Sequence, residues 1–158
     1  MGKAGAQSAR ARAEREALEA ARREPPGPLD ALLEKLAFGL KGGFPHYTGV
    51  YFYWMDGDNS LVLRAFSGRP TEHMRIPIER GICGRAAREK RTLIVDDVQA
   101  DPSYLACSLE TRSEIVVPIM RDGRVLGEID IDGDDRAAYG DADRRFLEQL
   151  ASLIAARV

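Results

Sequence analysis

The sequence predicts an α+β fold in which two β-hairpins build an antiparallel sheet and amphipathic helices pack on it. The apolar segments Gly49–Met55 and Ser60–Phe66 flank a turn of Asp, Gly and Asn residues, and a second pair of apolar segments flanks Asp122 and Gly123. Leucines at helical spacing precede the first hairpin, and a second helical stripe follows the last one. Hairpins bracketed by helices favour an antiparallel sheet over alternating βαβ units.

Composition excludes several classes of protein. The 158 residues are 44% hydrophobic and 30% charged, which fits one compact domain. A net charge of −2 gives no reason to expect a nucleic-acid partner. The sequence has no long apolar window and no secretory signal, so we expect a cytoplasmic protein without a membrane segment. Two cysteines are too few for a disulfide scaffold.

The first 28 residues are predicted to form a charged helical or disordered arm that precedes a domain over residues 29–158. Ser8–Glu24 is almost entirely Ala, Arg and Glu, with opposite charges at helical spacing, for example Arg12 and Glu16. This helix is either a solvated arm or a dimerisation surface, because an Ala-rich face packs closely on a partner. The run Pro25–Pro28 interrupts any helix and marks the predicted boundary.

The remaining elements follow in order along the chain. They are a helix over Leu29–Leu40 ended by Gly42 and Gly43, the strands Gly49–Met55 and Ser60–Phe66, a short strand over Met74–Ile78, a short helix over Cys83–Lys90, a short strand over Leu93–Val95, a loop over Asp101–Cys107, the strands Glu114–Met120 and Arg124–Asp132, and a last helix capped by Asp141. Pro118 lies inside a strand and predicts an edge position or a bulge.

Three acidic residues alternate along the last predicted strand. Glu128, Asp130 and Asp132 project to one face, and the two isoleucines between them project to the other. That face is either an ordinary solvated surface or the wall of a pocket. In a pocket, desolvation and mutual repulsion raise the pKa of at least one carboxyl, which creates a proton donor or a site for a ligand ammonium. Glu114 opens the preceding strand and could join the group across the hairpin.

The two cysteines occupy different settings. Cys83 lies near the start of a helix, where the helix dipole stabilises a thiolate, and Cys107 lies in a predicted loop. Each is equally compatible with a structural role, because a free cysteine is often a small buried apolar residue. His73, Cys83 and Cys107 lack the close spacing of a zinc motif, and no phosphate-binding glycine loop is present, so we expect neither a metal nor a cofactor.

A series of short motifs along the chain is typical of a known family. The motifs are Gly49–Tyr51, Arg75–Pro77, Gly81–Ala87, Asp96–Val98, Ala106–Cys107, Ser113–Pro118, Asp122–Gly123, Val125–Gly127 and Asp130–Asp132. In this order they resemble the GAF-domain family of free methionine-(R)-sulfoxide reductases. The resemblance covers about residues 29–157 and implies a GAF-like antiparallel sheet with flanking helices.

The resemblance also implies a reaction. In that family a cysteine thiolate attacks the sulfoxide sulfur, acidic groups bind the substrate and protonate the oxygen, and a second cysteine converts the sulfenic acid to a disulfide that thioredoxin reduces. By this resemblance, Cys107 is the attacking cysteine and Cys83 the resolving one. The full set has catalytic residues Cys107, Cys83, Asp132 and Glu114, and substrate-binding residues Asp130, Tyr51, Tyr47 and Glu114.

Several positions depart from the family pattern. His73 stands where the family has a further cysteine, so either Cys83 or an external thiol must resolve the sulfenic acid, or the activity is lost. Tyr47 replaces a tryptophan, Arg112 replaces an asparagine, and Glu128 replaces an apolar residue. Two functions therefore stay open. One is a thioredoxin-dependent reductase of a small-molecule substrate; the other is a non-catalytic GAF sensor that binds a small ligand, for example an anionic one, or senses redox state through a homodimer or partner.

Overall fold

The helices and strands of the computed structural model follow the predicted order. The structure describes residues 2–23, 27–106 and 108–158. Within them lie four α-helices and six strands: α1 (Lys3–Arg23), α2 (Leu29–Gly43), β1 (Gly49–Asp56), β2 (Ser60–Ser67), β3 (Arg75–Pro77), α3 (Gly81–Glu89), β4 (Leu93–Val95), β5 (Ser113–Arg121), β6 (Arg124–Gly133) and α4 (Asp141–Ala155). Pro25 and Pro26 of the predicted domain boundary lie outside the described residues, and so does Cys107.

The sheet is antiparallel throughout, with the strand order β3-β2-β1-β6-β5-β4. The hairpins β1–β2 and β5–β6 are joined by pairing of β1 with β6, which makes β6 a central strand. At the second turn both Asp122 and Gly123 have positive φ, 52° and 75°, as a two-residue hairpin turn requires. The predicted antiparallel α+β architecture is confirmed.

Each face of the sheet carries its own apolar layer. The leucine stripe of α2 and the apolar stripe of α4 cover one face, where alternate residues of the central strands complete the main core. α3 covers the opposite face and forms a smaller cluster with Tyr51, Tyr53 and Val116. The even-numbered residues of β5 and β6 share this second face.

Helix α1 is not exposed on all sides. Its alanines pack against α2 and α4, Ala21 is buried, and a Cβ on Gly43 would lie 2.7 Å from the Ala13 Cβ. The Arg10 Nη2 donates to the Asp143 Oδ1 at 3.1 Å. The small-residue face is therefore covered within the chain, which differs from the expectation of a solvated or dimer-forming face.

Pro118 fits the expected edge position, because β4 begins at Leu93 opposite Val116 and no described strand pairs with the outer side of β5 at Pro118. A register shift between Ile119 and Met120 adds the bulge.

The expected cap of α4 by Asp141 is wrong, since Gly140 precedes the helix and donates its N–H to the Asp143 Oδ2 at 3.1 Å. None of the described helices is long and apolar enough to span a membrane.

Candidate active site

The three alternating acids of β6 are buried at the centre of the sheet. Glu128, Asp130 and Asp132 are exposed by 0%, 4% and 6%, so a solvated polar surface is excluded. The register places Tyr51 of β1 beside Asp130 and Glu114 of β5 beside Asp132. Glu114 is also buried, and four carboxyl groups therefore share the face that α3 covers.

Helix α3 brings Cys83 to these acids. The helix lies close to the segment after β3, because a Cβ on Gly84 would stand 2.4 Å from the Ile78 carbonyl oxygen. Cys83 is buried, and its Sγ and carboxylate oxygens of Glu114 and Asp130 all lie within 4.8 Å of one another. Residues far apart in the sequence thus form one thiol and carboxyl cluster.

Burial dominates the electrostatics of this cluster. Desolvation, followed by the charge of Asp130, holds the pKa values of Glu128 and Asp132 well above those of ordinary carboxyls. Desolvation also raises the pKa of Asp130, although hydrogen bonding to Glu114 opposes the shift. Both side-chain oxygens of Glu128 and the Asp130 Oδ1 are buried without a hydrogen-bond partner among the described residues. Burial therefore favours the protonated forms of these carboxyls, and a protonated carboxyl can act as a proton donor.

The thiol of Cys83 is held protonated. Desolvation first, and then the charges of Asp130, Glu128 and Glu114, raise its pKa well above the usual value. The expectation of a thiolate stabilised at a helix start is wrong here, because burial beside three carboxyls outweighs the partial charge of a helix terminus. Cys83 is not poised as a nucleophile in this state.

The two predicted pocket tyrosines lie on opposite faces of the sheet. Tyr51 lies beside Asp130, and its hydroxyl donates to the Arg69 carbonyl oxygen at 2.5 Å. Tyr47 belongs to the main core, where its hydroxyl donates to the Asp143 Oδ1 at 2.8 Å. The structure brings Tyr51 to the carboxyl cluster and places Tyr47 outside it.

The loop 101–112, which joins the region of β4 to β5 and carries Cys107 in its sequence, is anchored at both described ends. Asp101 accepts hydrogen bonds from the Arg85 Nη2 of α3 at 3.1 Å and from the Ser103 N–H at 2.8 Å. At the other end the Arg112 N–H donates to the Gly133 carbonyl oxygen at 2.8 Å. Between them the Ala106 carbonyl oxygen lies 3.0 Å from the His73 Nε2.

These features belong to a fold that other proteins share. The sequence profile of the GAF domain matches residues 28–158. The chain belongs to the GAF domain family.

Relatives of this GAF domain include proteins with a named activity. This chain is 38% identical over 124 residues to GAF domain-containing protein A of Dictyostelium discoideum. The alignment covers 78% of this chain and 77% of that protein. The chain is 44% identical over 110 residues to the free methionine-R-sulfoxide reductase of Saccharomyces cerevisiae, which covers 69% of this chain. That alignment covers 61% of the yeast protein, so the match spans less than two thirds of its length.

A solved structure of a protein with this named activity has a similar fold. The free methionine-R-sulfoxide reductase of Neisseria meningitidis in complex with its substrate superposes with a TM-score of 0.82 at 34% identity. The superposition covers 99% of this chain and 90% of that one.

The cavity of this GAF domain at the cluster is small. It has a volume of about 10 Å³, enough for one water-sized guest, and Cys83, Glu114 and Asp130 contribute to its wall. The same three residues could offer one sulfur and two oxygens to a cation. Because burial favours their protonated forms, a metal would have to displace protons in order to bind. An ammonium group, which donates hydrogen bonds to carboxyl oxygens, is an alternative ligand for the same site.

The cavity wall also contains residues that the sequence did not predict as site residues: His73, Ile76, Gly81, Ile82 and Leu105. His73 stands where the family pattern has a cysteine, and Leu105 lies in the predicted loop that carries Cys107. The available signal in the sequence is spacing: His73 stands ten residues before Cys83, and Leu105 stands two residues before Cys107. Arg112, which replaces an asparagine of the family pattern, is partly buried, and its Nε has no hydrogen-bond partner among the described residues.

Proposed function

We propose that this GAF domain is a thiol-dependent reductase of free methionine-(R)-sulfoxide, with Cys107 as the nucleophile and Cys83 as the resolving thiol. The observation that carries the proposal is the buried cluster of Cys83 and four carboxyls on the face next to the loop 101–112. The relatives and the structural neighbour that bear the name of this activity support the same assignment.

The first chemical step needs a nucleophile and a proton donor. The Cys107 thiolate attacks the sulfoxide sulfur and forms a transient S–S bond. The oxygen then passes to Cys107, and both this bond and the S–O bond of the substrate break. A buried protonated carboxyl supplies the proton that the departing oxygen requires, and we assign this role to Asp132 with Glu114 beside it. The products are methionine and a sulfenic acid on Cys107.

Substrate recognition uses charge as well as shape. The substrate carries an ammonium group, and a cluster of buried carboxyls gains most from a cation that restores the lost solvation. We assign this contact to Asp130 and Glu114, with the ring of Tyr51 as an apolar wall beside Asp130. Binding a molecule of this size requires the cavity to enlarge from its present volume.

The second step recycles the enzyme. The carboxylate that lost its proton in the first step accepts the proton of Cys83, and the Cys83 thiolate attacks the sulfenic acid sulfur to form a Cys83–Cys107 disulfide. The leaving hydroxyl takes that proton from the carboxyl and departs as water. Two electrons from an external dithiol then reduce the disulfide. We propose thioredoxin for this role, or another thiol reductant, and a cytoplasmic location where such reductants keep thiols reduced.

A coupled assay tests the proposal. NADPH consumption is followed with thioredoxin, thioredoxin reductase and each epimer of free methionine sulfoxide. We expect turnover of the R epimer alone and its complete loss in Cys107→Ser, whereas Cys83→Ser retains a first turnover and stops. Lack of turnover of both epimers by the wild type would reject the reductase.

The second candidate is a GAF sensor without catalysis. The observation that favours it is the cavity of about 10 Å³, which holds no methionine-sized molecule in this state. A ligand sensor would bind a molecule smaller than methionine sulfoxide, for example a small anion, and leave both thiols unchanged. Calorimetry that detects binding while a thiol count finds no oxidation would support the sensor.

The assembly and the domain division belong to the same proposal. We propose that residues 29–158 are the catalytic unit and that residues 1–28 are an added N-terminal segment. A homodimer is also proposed, and the molar mass from light scattering tests it. The alanine face of α1 is used within the chain, so a dimer would need another surface.

A further inference from the structure

His73 is held in place by bonds to its own backbone. The Tyr53 hydroxyl donates to the His73 carbonyl oxygen at 2.8 Å, and the His73 N–H donates to the Thr71 Oγ1 at 3.0 Å. Tyr53 lies on β1 in the buried layer under α3. The backbone of His73 is therefore fixed to the rigid sheet, although the residue lies in a connecting segment.

The imidazole of His73 reaches the loop 101–112. Its Nε2 lies 3.0 Å from the Ala106 carbonyl oxygen, and because a carbonyl can only accept, the Nε2 carries the hydrogen and donates. Ala106 directly precedes Cys107 in the sequence. A bond at this carbonyl restricts rotation of the peptide that leads into the proposed nucleophile.

The same imidazole contributes to the wall of the cavity. Cys83, Glu114 and Asp130 line this cavity together with His73. The electrostatic interaction of His73 with Asp130 also opposes the upward shift in the pKa of that carboxyl. One side chain thus contacts the loop and lies at the carboxyl cluster.

We propose that His73 is a positioning residue that fastens the Cys107 loop over the carboxyl cluster by its bond to the Ala106 carbonyl. This rests on the proposed function, in which the sulfur of Cys107 must meet a sulfoxide held by the carboxyls. A loop that is fixed in advance loses less conformational freedom when the substrate binds.

The identity of the residue matters for this role. A thiol is a weak hydrogen-bond donor, and a cysteine at position 73 would not make the same bond to the Ala106 carbonyl. The bond requires a side chain that carries an N–H about as far from the backbone as the Nε2 of histidine. Glutamine supplies such an N–H, and leucine has similar bulk without one.

The test compares His73→Leu with His73→Gln. The matched control is His46→Leu, which deletes the other histidine, whose Nε2 bonds Asp143 on the opposite face. Two readouts are measured on each full-length variant: hydrogen exchange of the amides in the loop 101–112, and kcat and KM with a small dithiol as reductant. Thermal unfolding confirms that each variant is folded.

We expect His73→Leu to speed exchange in the loop and lower kcat by about tenfold, the effect of one lost hydrogen bond, with KM within about twofold. His73→Gln restores both values to within about twofold of the wild type, and His46→Leu leaves loop exchange unchanged. Unchanged exchange in His73→Leu, or a glutamine variant that behaves as the leucine one, would overturn the proposal. If the wild type shows no turnover while the exchange pattern holds, the fastening role stands and the reductase fails.

Discussion

Glu128 places an acid in the buried layer under α3, beside Cys83. Both of its side-chain oxygens are buried without a hydrogen bond among the described residues, and burial with the charge of Asp130 holds its pKa well above the ordinary value. An unpaired buried acid costs stability, and the cost grows when the group must ionise. Glu128 therefore destabilises the fold, and we expect its role to be chemical: its protonated carboxyl can supply a proton next to Cys83 and Asp130.

Replacing Glu128 by an apolar residue of the same length should stabilise the fold. For Glu128→Met we expect a gain of about 1–3 kcal/mol in the free energy of unfolding, because the desolvation cost disappears. A carboxyl whose folded pKa is raised binds its proton more tightly in the folded state, so its contribution is lost as the pH rises through that pKa. The gain in Glu128→Met should thus be larger at about pH 8 than at about pH 4, below the ordinary value of 4.5. Urea unfolding at both values measures it, and a loss of stability at both would contradict the assignment.

Asp132 is the residue to which we assign proton donation. Asp132→Asn keeps the size of the side chain and removes the acid, so kcat with the R sulfoxide should fall by about a hundredfold or more. The control is Asp135→Asn, an exposed carboxyl on the segment that follows. Equal rates in wild type and Asp132→Asn would remove Asp132 from the reaction.

At the scale of the elements, the close packing of α3 on the sheet holds Cys83 next to the buried carboxyls. A methyl group at Gly84 would meet the Ile78 carbonyl oxygen at 2.4 Å. For Gly84→Ala we expect a loss of about 2 kcal/mol in stability and slower formation of the Cys83–Cys107 disulfide, because the start of the helix must shift. Gly39→Ala on the exposed side of α2 meets nothing within 4 Å and should instead gain up to about 1 kcal/mol. Similar stability changes in the two variants would contradict the account of α3.

Asp143 links three elements at the other face. Despite its burial, hydrogen bonds from His46, the Gly140 N–H and Tyr47 lower its pKa to about 2, and Arg10 of α1 also donates to it. A depressed carboxyl pKa contributes stability that is present above the unfolded value near 3.8 and is lost as the pH falls through about 2.

Removing this carboxylate should loosen α1. For Asp143→Asn we expect a loss of about 2 kcal/mol at neutral pH, a flatter decline of stability below about pH 4, and earlier proteolysis of α1. Denaturant unfolding across this acid range, with Asp141→Asn as the exposed control, measures the effect. An acid decline in Asp143→Asn as steep as that of the wild type would count against this role.

At the scale of the molecule, local sequence patterns predicted most of the fold. Alternation along the strands and the turn of Asp122 and Gly123 indicated both hairpins and the shared face of the β6 acids. They could not show that this face is buried, because burial depends on α3, which lies far away in the sequence. The same limit applies to Tyr47, whose bond to Asp143 joins distant segments.

The proposed reductase accounts for the buried acids and for the thiol of Cys83 beside them. A single turnover without reductant tests it most directly: wild-type protein is mixed with free methionine-(R)-sulfoxide, and methionine and free thiols are counted. We predict one methionine per chain, loss of both thiols and a mapped Cys83–Cys107 disulfide, whereas Cys83→Ser yields the same methionine and a trapped sulfenic acid on Cys107. Two free thiols and no methionine after incubation would contradict the account.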